Sequence, residues 1–414
     1  MHSLHQRALR PILALTAVFA VAACDDASEP LAPDAAPQSV LSAMRGAATG
    51  TPASGMRILT RNIFLGGDTG PLFSLDFPDP GNEPPQETIA KTLALLAGVN
   101  TFWGQVLATD FAQRAEAIAD EIASTDPQVV ALQEVARYAV VDLTSGQPVV
   151  VGGVDFLGTL QVELAGRGLS YDLVVVNPFV EGQLPLGIDF ASFQFTRILD
   201  LSVGEATLVR SDVKVLDSDQ GNYQVGLDLG PLSLARGWSH VRVKHAGMPY
   251  HVVNTHLETQ GIRPVHDAQA AELIGSILAD LRGMTVLVGD LNSDALGPQN
   301  ASNPAWTPTY GRLLDAGFAD AWLQVADNQG DGATCCFDPD LANPDASVLD
   351  ERIDFVLVRR PGTGRASANA SAASVSWMTV LGDEDGDQTI GGLWPADHAG
   401  LFAELYFPGV AANN

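Results

Sequence analysis

Cysteine is almost missing from this sequence, with three residues in 414. That excludes a small secreted scaffold held by a disulfide framework. Basic residues are also scarce. Lys+Arg total 22 against 49 Asp+Glu, for a net charge of -27. A protein that grips nucleic acid through a broad basic surface does not look like this. The apolar run Pro11–Ala20 is too short to cross a bilayer as a helix. No serine or cysteine sits in a pattern that marks a covalent nucleophile. What is present is a 46% hydrophobic chain. That is enough for a large core, and it excludes a mostly disordered protein.

The N-terminus reads as a targeting segment. Arg7 and Arg10 precede the apolar run, and Val21-Ala22-Ala23-Cys24 follows it. A basic start, a short apolar stretch and small residues before a cut site describe a signal peptide over 1–23. Cys24 after two alanines resembles a bacterial lipobox, which makes it the candidate lipidation site. Residues 24–55 are rich in Ala, Pro, Ser, Asp and Gly and read as a lipidated cysteine and flexible tether. The expected location is extracytoplasmic, anchored by lipid to a membrane of a bacterial cell envelope. One catalytic domain is expected over 56–414, with no second linker and no internal repeat, acting as a monomer.

Within that domain, strands are expected at Met56–Phe64, Val129–Gln133, Tyr171–Val176, Ala206–Arg210, Ser239–His245, Tyr250–Thr255, Thr285–Gly289, Arg352–Val358 and Leu401–Phe407. Helical spacing marks Glu87–Val99, Asp110–Ser124, Phe156–Arg167 and Val265–Leu281. Strands and helices in this mixture suggest α/β, with mixed sheets and helices outside. Two segments look like inserts. Residues 65–110 hold Leu72, Phe73, Leu75, Phe77, Phe102 and Trp103, and residues 179–201 hold Phe190, Phe193 and Phe195. Each reads either as a lid or lipid contact, or as a cap packed on the domain's side.

Polar residues interrupt the strands at their ends. Asn62 follows RILTR, Glu134 follows VVALQ and His256 follows HVVNT. Asp290 and Asn292 follow TVLVG, Asp354 sits in ERIDFVLV, and Asp397-His398 precede the last strand. One such residue is ordinarily a turn or cap. Eight together suggest convergence at one sheet edge, where open α/β sheets bind ligands. Carboxylates with an asparagine form an oxygen-rich site suited to Mg²⁺, Mn²⁺ or Ca²⁺. Two histidines add acid–base groups. Together they point to metal-assisted attack by water on a phosphoric ester. Arg236, in LARGWSHV, is a candidate phosphate clamp, because a planar fork suits that group.

The ordered set Asn62, Gln133-Glu134, Asn254-Thr255-His256-Leu257, Gly289-Asp290-Leu291-Asn292, Arg352-Ile353-Asp354 and Asp397-His398 resembles the endonuclease/exonuclease/phosphatase superfamily. The resemblance covers about residues 56–407. It implies a deoxyribonuclease I-like four-layer α/β/β/α fold, two mixed β-sheets packed as a sandwich with flanking helices. It implies Glu134 as main Mg²⁺ ligand, with Asn62 beside it and Asp397 as a second ligand or neighbour. It implies that Asp290 orients or deprotonates water, that Asn292 holds a phosphate oxygen, and that His398 serves the transition state with its tautomer fixed by Asp354. His256 resembles a phosphate contact or general acid of the deoxyribonuclease and sphingomyelinase branches.

A WCDR-like element, expected of inositol-polyphosphate 5-phosphatases, is replaced here by Glu351-Arg352-Ile353-Asp354. The presence of Asn-Thr-His-Leu argues against an AP endonuclease. The acidic charge opposes duplex DNA. The favoured substrate is therefore a phospholipid headgroup, in the manner of a sphingomyelinase or phospholipase C, or a small phosphodiester. A nuclease acting on DNA or RNA, a phosphomonoesterase and a non-catalytic binding lipoprotein are the rivals.

Three acidic or sulfur features remain. Cys335-Cys336 reads as a vicinal disulfide, free buried thiols or a transient oxidised pair. Asp327, Gln329, Asp331, Gly332 and Asp338 loosely follow EF-hand spacing, with Gln and Asp in place of preferred ligands, and read as a solvated acidic loop. Asp383–Asp387 reads the same way.

Overall fold

The computed structural model describes residues 55–79, 81–228, 232–325, 330–360 and 374–406. The segments read as a signal peptide and, up to residue 54, as a tether with Cys24, together with Asp327 and Gln329, lie outside the described residues. The strands are β1 (Met56–Asn62), β2 (Val129–Asp142), β3 (Val149–Asp155), β4 (Tyr171–Asp189), β5 (Gln194–Arg210), β6 (Lys214–Asn222), β7 (Leu227–Asp228) and β8 (Ser233–Leu234). They continue as β9 (Gly237–His245), β10 (Met248–His256), β11 (Met284–Asp290), β12 (Ala319–Asp320), β13 (Asp354–Arg359), β14 (Ser374–Leu381) and β15 (Gly400–Tyr406). The main helices are α1 (Pro85–Ala108), α2 (Phe111–Thr125), α3 (Phe156–Gly166), α4 (Arg263–Glu272) and α5 (Thr309–Asp315).

Two large sheets result. The first has the order β14-β15-β1-β2-β5-β4, with β3 also on β2; the second has the order β12-β13-β11-β10-β9-β6. Both are mixed: β1 runs parallel to β2 and β10 parallel to β11, while the other pairs within these two sheets are antiparallel. Alternation sorts the side chains into layers. Ile58, Val129, Ala131, Leu401 and Ala403 of the first sheet pack against Val241, Val252, Val286, Val288 and Val356 of the second. The outer face of the first sheet, with Leu59, Val130 and Leu132, is covered by α1, α2 and α3. The outer face of the second, with Val253, Leu287 and Leu357, is covered by α4 and α5. This is the expected four-layer sandwich. Central strands such as MTVLVGD are buried throughout because both of their faces are covered.

Some segments differ from their sequence reading. Strand β2 does not stop at Gln133 but continues to Asp142, so Glu134 lies within the strand. Pairing of β2 with β5 shifts between Leu132 and Val135, and Glu134 takes φ 57° there. The bulge lets the strand turn one side chain out and carry on. Residues 179–201 continue β4 and β5 as one long hairpin. Because β2 runs parallel to β1, its continuation passes Asn62 and projects beyond that edge with β3, β4 and β5. The first apparent insert is mostly helix, since α1 runs through Phe102 to Ala108. Its Leu95, Val99, Phe102 and Val106 pack on the sheet's side with Phe111 and Phe156. Val265–Leu281 is interrupted by a π-turn over Leu273–Ile277. No described helix is long and apolar enough to cross a membrane.

Candidate active site

Register aligns the polar residues within each sheet, and the packing of the two sheets brings the sets together. Asn62 pairs with Gln133 at the end of β1, His256 with Asp290 at the ends of β10 and β11, and Asp290 with Asp354 across β11 and β13. Gly289 has φ 125°, and a Cβ there would meet the Thr255 carbonyl oxygen at 2.0 Å. Only glycine lets the two strand ends approach this closely. Asn292, at φ 45°, then turns back so that its backbone N–H donates to Asp290 Oδ1 at 2.9 Å.

Asp290 is the centre of the cluster. Its Oδ2 accepts from Asn62 Nδ2 at 3.2 Å and lies 3.2 Å from His256 Nε2 and 3.8 Å from His398 Nε2. On one side, His398 Nδ1 meets Asp354 Oδ2 at 2.8 Å. Burial opposes charge on His398, but Asp354, Asp397 and Asp290 outweigh it and hold the imidazole well above its usual range. On the other side, Arg236 Nη1 lies 2.9 Å and 3.1 Å from the two ring nitrogens of His256. Burial and that guanidinium hold His256 well below its usual range. Asn292 Nδ2 donates to the Leu257 carbonyl at 2.9 Å and reaches His256 Nε2 at 3.3 Å. Arg236 rests on the Phe179 ring, 4.9 Å from its centroid, and pairs with Glu258 at 3.5 Å.

Glu134 and Asp397 stand at the carboxylate side. Glu134 Oε2 accepts from Leu65 N at 2.9 Å. Asp397 Oδ1 and Asp354 Oδ1 are buried without a hydrogen-bond partner among the described residues. Burial, with neighbouring carboxylates, pushes Asp290 and Asp397 up to about 7. Buried carboxylates in excess, with oxygens left over, fit a divalent cation. Asp290, Asp354 and His398 also converge tightly enough to share an ion.

Several residues support the site, and of these Arg61 and Arg114 carry no reading in the sequence analysis. Arg114 is fully buried and donates to the carbonyls of Ile63, Phe64, Thr109 and Pro395, tying the loop after Asn62 to the loop before Asp397. Arg61 donates to the His398 carbonyl and to Glu121. Gln133 Nε2 donates to Asn254 Oδ1 at 2.6 Å, and Asn254 Nδ2 donates to Leu132 O. That pair pins the two sheets together beside the bulge. Arg114 was legible, because it lies three residues after Phe111 and four before Ile118, on the apolar stripe of α2.

Residues 99–398 match the endonuclease/exonuclease/phosphatase family. No curated protein matches the sequence. Several solved structures are similar to the chain. A family protein from Leptotrichia buccalis is 16% identical, covers 85% of this chain and 100% of its own, and has a TM-score of 0.48. One from Beutenbergia cavernae is 20% identical over 86% of this chain and 73% of its own, TM-score 0.49. A mannosyl-6-phosphatase from Bacteroides thetaiotaomicron is 15% identical over 85% and 100%, TM-score 0.46. The family consists of phosphoric ester hydrolases that generally depend on a divalent metal, and the chain belongs to it: it is a member of the endonuclease/exonuclease/phosphatase family.

Proposed function

We propose that the chain hydrolyses a phosphodiester by attack of water, with a phospholipid headgroup or a small phosphodiester as substrate. The observation that carries this is the placing of one buried carboxylate, Asp290, between two histidines of opposite character and beside Asn62 and Asn292. Asp290 takes the proton of the attacking water. Asn292 and Arg236 hold non-bridging phosphate oxygens. His398, kept charged by Asp354, donates to the phosphoryl group as negative charge grows there. His256 stays neutral against Arg236 and acts as a phosphate contact, which favours that reading over general acid. Glu134, Asn62 and Asp397 would hold Mg²⁺, which when bound neutralises the phosphoryl oxygens and the carboxylates around it. Their hard oxygen donors suit Mn²⁺ or Ca²⁺ as well.

Support for a lipid comes from the far end of the β4–β5 hairpin. Phe190, Phe193 and Phe195 are exposed there by 62%, 55% and 45%. A cluster of exposed phenylalanines is costly in water and suits an apolar surface. The N-terminal reading, a lipid-anchored cell-envelope protein, places such a surface within reach.

The test uses the full chain in detergent, with Mg²⁺ or with EDTA. Sphingomyelin, phosphatidylcholine, supercoiled plasmid and an inositol polyphosphate are offered side by side, with Asp290→Ala as the blank. Phosphocholine release that EDTA and the substitution both stop is the expected result. Plasmid nicking under the same controls would replace the lipid reading with a nuclease, and release of inorganic phosphate alone would replace it with a phosphomonoesterase.

A further inference from the structure

Cys335 and Cys336 are paired with each other and lie against His398. A sulfur of each and a ring nitrogen of His398 fall within 4.8 Å of one another. The segment around them ties together the two stretches of chain that carry the His398–Asp354 pair. Toward Asp354, Cys335 N donates to Glu351 O at 3.1 Å, and Cys335 O accepts from Asp350 N at 2.9 Å and Glu351 N at 3.2 Å. Thr334 Oγ1 lies 3.3 Å from Asp354 N. Toward His398, Phe337 N donates to Asp397 O and Ala399 N to Thr334 O, both at 2.7 Å. Residues 334–337 are thus a strap with one edge on each half of the pair. The two cysteines differ in access: Cys335 is 2% exposed, while Cys336 is exposed to solvent.

We infer that this disulfide is a thiol-exchange site that sets the alignment of His398 on Asp354, so that its reduction slows turnover. The inference rests on the proposed role of His398. The co-reactant is a dithiol. Its thiolate bonds to Cys336 Sγ, the reachable sulfur, the S–S bond breaks, and Cys335 leaves as a thiolate beside His398. The dithiol's second thiolate then attacks its own sulfur in the mixed disulfide, releases Cys336 and closes a cyclic disulfide. Two electrons pass from the dithiol to the cysteines, and its two protons end on them. Two free thiols cannot sit at bonding distance, so the strap must relax. The segments it joins then lose their common template, and the imidazole loses the fixed orientation that a supporting shell supplies.

The experiment reads the full chain before reduction with dithiothreitol, after it, and after reoxidation. Reduction is expected to lower kcat by about ten- to hundredfold, the usual loss when a supporting contact is removed, with KM within about twofold. Reoxidation restores kcat, and Cys335→Ser/Cys336→Ser starts slow and ignores dithiothreitol. The His398 imidazole resonances, assigned with His398→Gln, shift on reduction in parallel. Unchanged kcat and unchanged His398 resonances in protein shown by thiol titration to be reduced overturn the inference. So does a loss of kcat shared equally by the double variant after added dithiothreitol, since the reagent would then act elsewhere. If the oxidised chain hydrolyses no phosphate ester, the proposed function fails, while the His398 resonances still decide whether the strap aligns the ring.

Discussion

The two sides of Asp290 are built from the same residue type and end in opposite states. His398 stands among Asp354, Asp397 and Asp290 and is held well above its usual range. His256 stands against Arg236 and is held well below it. Both rings are buried and both reach the same oxygen of Asp290. Burial pushes each toward neutrality, so the difference comes from neighbours alone. A site that must keep one donor charged and one contact neutral gains both from a single residue type in this way.

The comparison breaks most completely at its centre. Asp290→Ala or His398→Ala should lower kcat by about 10²- to 10⁴-fold, the range of a lost acid–base group. The circular dichroism spectrum should stay that of the folded protein. Near-normal rates in either variant would remove the proposed mechanism. Asp354→Asn attacks one side only. It should cost about ten- to hundredfold in kcat. Because Asp354 raises His398, its loss lets the imidazolium deprotonate at lower pH, and the alkaline limb of the rate profile should move to lower pH.

On the other side, Arg236→Ala should act mainly on KM. A hydrogen bond to a charged group contributes about 1.5–3 kcal/mol, so KM should rise by about ten- to hundredfold with a smaller change in kcat. A loss confined to kcat would place Arg236 in the chemical step instead. The smallest effect lies away from the site and sharpens the rule. His240 Nε2 and His251 Nδ1 meet at 2.9 Å, and burial, then the His251 charge, lowers His240 to about 4. Asp217 and Asp219 pull the other way and Arg242 adds to the lowering. The unfolded chain takes up this proton near 6.5, while the fold resists it until about 4. Stability should therefore fall as pH drops from about 6.5 to 4, by at most about 3 kcal/mol from this group and by less where solvent screens it. His240→Gln should remove that part of the loss in urea titrations at pH 7 and 4.5, with turnover at pH 7 unchanged.

The parts legible in the sequence are those that local pattern controls. Gly289-Asp290-Leu291-Asn292 carries its own turn, since a glycine, an acid and an asparagine after an apolar run leave the backbone few other routes. The β11 segment is an almost continuous apolar run because both of its faces are covered, and that run alone marks a buried strand. Glu134 was recognised as a site residue but placed at a strand's end. It sits on a bulge in mid-strand, which depends on the facing register of β5. The continuation of β4 and β5 was hidden as well. Pairing along the β4–β5 hairpin, rather than propensity, supports Pro178 to Asp189, where Pro, Gly and Gln are poor strand formers.

By itself, then, the sequence determined the layers, because the periods of apolar residues dictate which faces must be buried. It also determined the composition of the site, because acids, amides and histidines that follow apolar runs stand where a buried strand ends or bulges. The tertiary structure alone decided the charge on each histidine, since Arg236 stands 20 residues from His256 and Asp354 44 residues from His398. It alone decided that Cys335 and Cys336 lie on the His398–Asp354 pair. Electrostatic effects and strap contacts act through space over a few ångströms, and only folding sets those distances.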